Sequence, residues 1–188
     1  MNESQVMEVF RGMVLDSRAR LRENSFYYLM WGWVVVICCL VEWGLMQAGV
    51  TWHWAVWPVA MPIAGAVSMV RGIRQGQREQ HTTALDRMMG YLWGGWGALL
   101  LLVLLGAPRM GWDLAYGILM AMYGLGTFVS GGMLGFKPLV YGGIAAWVIA
   151  LVAILMPGLG FEAILWLLAA SIGVSYLIPG YLLLNAKG

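Results

Sequence analysis

Six stretches of about 20 mostly apolar residues constrain this chain more than any other feature. They cover Phe26–Gln47, Trp52–Gly72, Arg87–Ala107, Trp112–Leu134, Pro138–Met156 and Phe161–Asn185. At about 1.5 Å of rise per helical residue, each can cross the hydrocarbon core of a bilayer. Lipid offers backbone N–H and C=O groups no water to bond, so runs of this length are read as helices. The joints between them are short and rich in turn formers, as in Ala48-Gly49-Val50-Thr51, Gly106-Ala107-Pro108 and Pro157-Gly158-Leu159-Gly160. Composition agrees. The chain is 61% hydrophobic and 11% charged, whereas a water-solvated surface calls for about 25% charged residues. We therefore expect an all-α membrane protein, with a polar amino-terminal helix over residues 1–25 and a six-helix transmembrane domain over 26–188.

Positive charge sets the expected orientation. Arg11, Arg18, Arg20, Arg22, Arg71, Arg74, Arg78, Arg87, Lys137 and Lys187 fall on one side of an alternating six-span path, and Arg109 alone on the other. Both termini are thus expected in the cytoplasm, with the chain multi-pass in a cytoplasmic (inner) membrane. Tryptophans sit near the expected interfaces, with Trp31, Trp33, Trp93 and Trp96 toward the inner side and Trp43, Trp52, Trp54, Trp57 and Trp112 toward the outer. Such rings are read as interfacial anchors. Glu3, Glu8, Asp16 and Glu23 interrupt the first 25 residues. A cleavable signal needs an early uncharged apolar run, so the first span is expected to stay as an anchor. A net charge of +2 gives no reason to expect nucleic acid as a partner.

The amino-terminal arm reads as an amphipathic helix. Val6, Phe10, Met13 and Val14 follow helical spacing and Leu21 extends the stripe, while Arg11, Arg18 and the other charges lie elsewhere. Phe10, Arg11, Met13, Val14, Arg18 and Leu21 are the residues expected to meet either the lipid surface or a cytoplasmic protein partner. Within the spans, Ala60, Ala64 and Ser68 recur every four residues, as do Gly131 with Gly135 and Ala169 with Gly173. Small residues at this spacing let helices approach in lipid. Pro62 and Pro179 are expected to kink their helices. A faint repeat runs through the chain. Tyr28-Leu-Met-Trp-Gly-Trp33 is echoed by Tyr91-Leu-Trp-Gly-Gly-Trp96 and, loosely, by Val140-Tyr-Gly-Gly143, and Ser68, Ser130 and Ser175 recur in the even spans. The pattern suggests three copies of a two-helix hairpin.

Ionisable groups inside a bilayer are costly, which makes Glu42 the main candidate for a site. It shares its helix face with Val35, Cys38 and Cys39. It must therefore be protonated, reach a partner or line a wet cavity. Arg109 and His53 are the available partners, and a structural Glu42–Arg109 pair is the simplest expectation. A proton or cation site is the alternative, with Asp113 and Glu162 completing an acidic cluster. Both of these also open their helices, where a carboxylate suits free N–H groups. The adjacent cysteines read as small core residues. His53 and His81 lie on opposite sides of the membrane and cannot share a haem or metal. No metal site, cofactor motif or catalytic signature appears, so an enzyme is the least favoured class.

The segment Arg18-Ala-Arg-Leu-Arg-Glu-Asn-Ser-Phe-Tyr-Tyr-Leu-Met-Trp-Gly-Trp33 resembles the start of a group of uncharacterised six-transmembrane bacterial membrane proteins of Bacteroidetes type. That resemblance implies the six-span layout and no particular activity. A weaker similarity, through Gly65-Ala-Val-Ser-Met-Val-Arg-Gly-Ile-Arg74 and the hairpin pattern, is to the HdeD-like acid-resistance membrane proteins. The leading functional expectation is a non-enzymatic membrane protein acting as scaffold, sensor or regulatory subunit through helix contacts, with a cytoplasmic partner or a second copy. The runner-up is a small proton or cation channel or transporter using Glu42. A dry, glycine-packed bundle favours the first, and a polar cavity the second.

Overall fold

The computed structural model describes residues 3–76, 84–156 and 158–185, with side chains over 25–74, 87–156 and 158–185. The described residues are helical and include no strand. Helix α1 runs from Glu3 to Gln47 without interruption, so the arm and the first span form one helix. The arm side chains Phe10, Arg11, Met13, Val14, Arg18 and Leu21 lie outside those described, as does His81. A short 3-10 turn over His53–Ala55 leads into α2 (Val56–Gly76), followed by α3 (Ala84–Met110), α4 (Trp112–Leu134) and α5 (Lys137–Leu155). The last span, α6 (Phe161–Leu184), contains a π-helical turn at Gly173–Leu177. Six helices are long and apolar enough to cross a membrane: Ser25–Gln47, His53–Arg74, Arg87–Met110, Trp112–Leu134, Lys137–Leu155 and Phe161–Leu184.

These limits follow the sequence reading closely except at the third joint. Helix α3 continues through Gly106-Ala107-Pro108 to Met110, and Gly111 alone makes the turn. Its φ of 92° is one that a residue with a side chain adopts only under strain, whereas Pro108 fits within the last helical turn. A π-turn over Gly173–Leu177 lies just before Pro179.

Consecutive spans pack as antiparallel pairs, α1 with α2, α3 with α4 and α5 with α6. Helices α1, α4, α5 and α6 enclose the core, around Val35, Met120, Leu139, Ile164, Leu168 and Ile172. Cys38 and Cys39 are buried there as free thiols. Helix α2 leans mainly on α1, and α3 mainly on α4. The two ends of the bundle are called proximal (the end of Ser25, Leu134 and Leu184) and distal (the end of Gln47, Met110 and Phe161).

The closest packing joins α4 to α5. A Cβ on Gly143 would stand 2.7 Å from the Gly124 carbonyl oxygen and 2.8 Å from the Phe128 nitrogen, so the two backbones nearly touch. Trp147 straps this contact by donating from Nε1 to the Ala121 carbonyl at 3.0 Å. The small pairs singled out by spacing divide in purpose. Gly131 does face the backbone of Leu139 and Val140. Gly135 instead ends α4 in the left-handed conformation, φ 65°, with Phe136 N–H donating to the Gly131 carbonyl at 2.9 Å. Gly173 packs nothing and opens the π-turn. On α2, Ala64 is buried, and Ser68 accepts a hydrogen bond from Trp31 Nε1 at 3.0 Å.

Candidate functional site: a buried carboxylate at the distal end

Val35, Cys38, Cys39 and Glu42 fall at helical spacing on the inward face of α1, and all four are buried. Glu42 is 0% exposed. A carboxyl group so placed is tolerated only with its oxygens satisfied. Three neighbours do this. The joint after α1 folds back through the 3-10 turn, which sets His53 Nδ1 3.0 Å from Glu42 Oε1. One helical turn later, Trp57 Nε1 donates to Glu42 Oε2 at 2.6 Å, and from the first turns of α4 the Tyr116 hydroxyl donates to the same oxygen at 3.4 Å. The Trp57 contact is the shortest of the three.

Aromatic rings wall the carboxylate in. Trp57 meets Tyr116 edge to face at 6.1 Å between centroids, and Tyr116 meets Phe161 of α6 at 5.2 Å, also edge to face. The His53 ring lies 6.4 Å from Phe161, and its side chain is 27% exposed. His53 and Trp57 are the half-buried partners of Glu42, whereas Tyr116 is buried.

The expected Glu42–Arg109 pair is not formed. Arg109 is exposed in the last turn of α3, and α3 packs on α4, away from Glu42. Asp113 and Glu162 are likewise exposed, each in the first turn of its own helix, and neither joins Glu42 in a cluster. Only His53 among the proposed companions meets the carboxylate. Trp57 and Tyr116 escaped the sequence reading. The signal for Trp57 was its position one turn after His53, hidden among several tryptophans read as anchors. Among the described residues no group of three or more His, Cys, Asp or Glu could hold a metal ion.

Below Glu42 the core continues as a column of hydroxyl-bearing side chains. Tyr116, Tyr123, Thr127 and Ser130 share the inward face of α4, and Tyr176 enters from α6. Tyr123 and Tyr176 stack edge to face at 5.5 Å, Tyr176 and Tyr28 at 5.6 Å, and the Tyr28 hydroxyl donates to Ser130 Oγ at 2.6 Å. Ser130 passes its own hydrogen to the Gly126 carbonyl at 2.6 Å. From Tyr28 to Glu42 these groups span about 21 Å along α1 at 1.5 Å per residue.

Comparison with protein-family models, curated proteins and solved structures finds no match for this chain.

Proposed function

We propose that the chain is a non-enzymatic integral membrane protein that acts through its helix contacts, as a scaffold, sensor or regulatory subunit. One observation carries this reading: only 6% of the spanning windows of α2 and α3 is buried, against 50% of that of α4. Two of six spans therefore add little to the chain's own core, while the core itself is closed by backbone contact between α4 and α5. A span that adds so little to the fold is free to pack on another membrane helix, where van der Waals contact and small residues give the affinity. Gly65 on α2 and Gly94 and Gly95 on α3 leave open space at their Cα atoms. In this reading the bundle sits in the cytoplasmic membrane with its proximal end and both termini inside. The sequence count supports that orientation, with ten of eleven basic residues on one side of the alternating six-span path.

Photo-crosslinkers in native membranes test it. Placed at Ile63 or Met69 of α2 and at Leu101 or Leu105 of α3, all exposed, they are expected to capture a specific protein, a second copy included. The exposed α5 positions Val148 and Leu151 serve as the lipid-facing control. Equal background at every position would remove the basis for a contact function.

The second reading, a proton or cation pathway through Glu42, is favoured by the His53 contact alone. It links a fully buried carboxylate to a partly exposed imidazole, the pairing found where protons enter membrane proteins.

A further inference from the structure

Long basic side chains at the edge of a bilayer extend toward water. Arg71, near the proximal end of α2, instead folds onto the neighbouring helix, with its guanidinium carbon 3.8 Å from the centre of the Phe26 ring. It is half-buried, and its Nε is shut in without an acceptor. Among the described residues no carboxylate pairs with it. Buried donors and charges without a protein partner are rare, and one at a lipid-facing edge points to a partner from outside the chain.

Contacts with α1 hold the arginine in this pose. One turn deeper, Trp31 Nε1 donates to Ser68 Oγ at 3.0 Å. Beside Arg71, Gly72 lies close enough to α1 that a Cβ there would stand 3.8 Å from the Tyr27 hydroxyl. A guanidinium stacked on an aromatic face keeps its N–H edge, and that fork matches two oxygens of a phosphate. Arg74 lies three residues on, a neighbour on the same helix face, and is exposed. The span ends at Arg74, so Arg71 sits about 4.5 Å inside that end at 1.5 Å per residue. This is the border between hydrocarbon and headgroups.

We propose that Arg71 and Arg74, with Phe26 as the platform under the first, form a binding site for the phosphate of an anionic phospholipid at the proximal end of α1 and α2. Two positive charges with no paired carboxylate favour a headgroup of net negative charge. A zwitterionic headgroup would bring its own ammonium against them. The ring holds the guanidinium in place before a lipid arrives, which lowers the ordering cost of binding. The site rests on neither functional reading above and needs only that the helices span a bilayer.

Thermal unfolding of the full chain in mixed micelles tests it, with phosphatidylglycerol, phosphatidylcholine or sodium phosphate added at equal phosphate concentration. Phosphatidylglycerol is expected to raise the melting temperature by several degrees, and the other two to leave it unchanged. Arg71→Gln should abolish the rise. Arg87→Gln removes an exposed charge at the same end of the bundle and should keep it. Phe26→Leu leaves both arginines in place and should raise the phosphatidylglycerol concentration required several-fold, which decides the matter where Arg71→Gln does not fold. Equal effects of the two lipids, or of sodium phosphate and phosphatidylglycerol, overturn the site. So does an undiminished rise in Arg71→Gln or Phe26→Leu, or an equal loss in Arg87→Gln.

Discussion

Replacing Gly143 with alanine is expected to destabilise the bundle by about 3 kcal/mol, the upper range for overpacking a closed core. The added methyl would lie 2.7 Å from the Gly124 oxygen and 2.8 Å from the Phe128 nitrogen. Both are backbone atoms in the middle of a helix, so neither can turn aside as a flexible side chain would. Helices α4 and α5 would have to separate, loosening the Trp147–Ala121 strap with them. Gly44 gives the internal contrast, because a Cβ there meets nothing within 4 Å. Alanine at Gly44 removes only the entropic penalty of a helical glycine and should be neutral or stabilise by about 0.5–1 kcal/mol. Reversible unfolding of both variants in mixed micelles measures the difference. If the two behave alike, α4 and α5 do not approach as described.

The second large effect belongs to the Glu42 cage. Trp57→Phe keeps an aromatic ring against Tyr116 but deletes the 2.6 Å donor to Glu42 Oε2. The remaining bond to that oxygen is the 3.4 Å contact from Tyr116. A buried carboxylate deprived of its best donor is expected to cost about 1.5–3 kcal/mol. Arg109→Gln, by contrast, should stay within about 0.5 kcal/mol, as for an exposed residue with no special partner. Sensitivity at Arg109 and indifference at Trp57 would restore the ion pair that charge alone suggested.

These two sites also mark how far the sequence could be read. The spans were legible because lipid admits few alternatives, and the uninterrupted apolar runs fixed five of the six nearly to the residue. The third joint was misplaced because Pro108 looked like a breaker. Proline is in fact tolerated there, and the positive φ at Gly111 makes the turn. Glycine spacing found Gly131 but passed over Gly124 and Gly143, which bring the backbones of α4 and α5 together. Their partners lie on another helix, and spacing along one helix carries no information about that. Glu42 stood out by its burial cost, which is a local property. Its partners did not, because choosing Arg109 over Trp57 and Tyr116 weighed charge above proximity. At 2.6 Å a neutral indole N–H serves a carboxylate well.

Between a protein that works through contacts and one that moves ions, one measurement decides most directly. Purified chain is reconstituted in proteoliposomes, and flux is followed under imposed proton and potassium gradients, wild type beside Glu42→Gln. A contact protein with a sealed, fully bonded Glu42 predicts no flux above empty liposomes for either form once insertion is verified. Flux that appears with the wild type and vanishes with Glu42→Gln would contradict the account and place Glu42 on a conduction path.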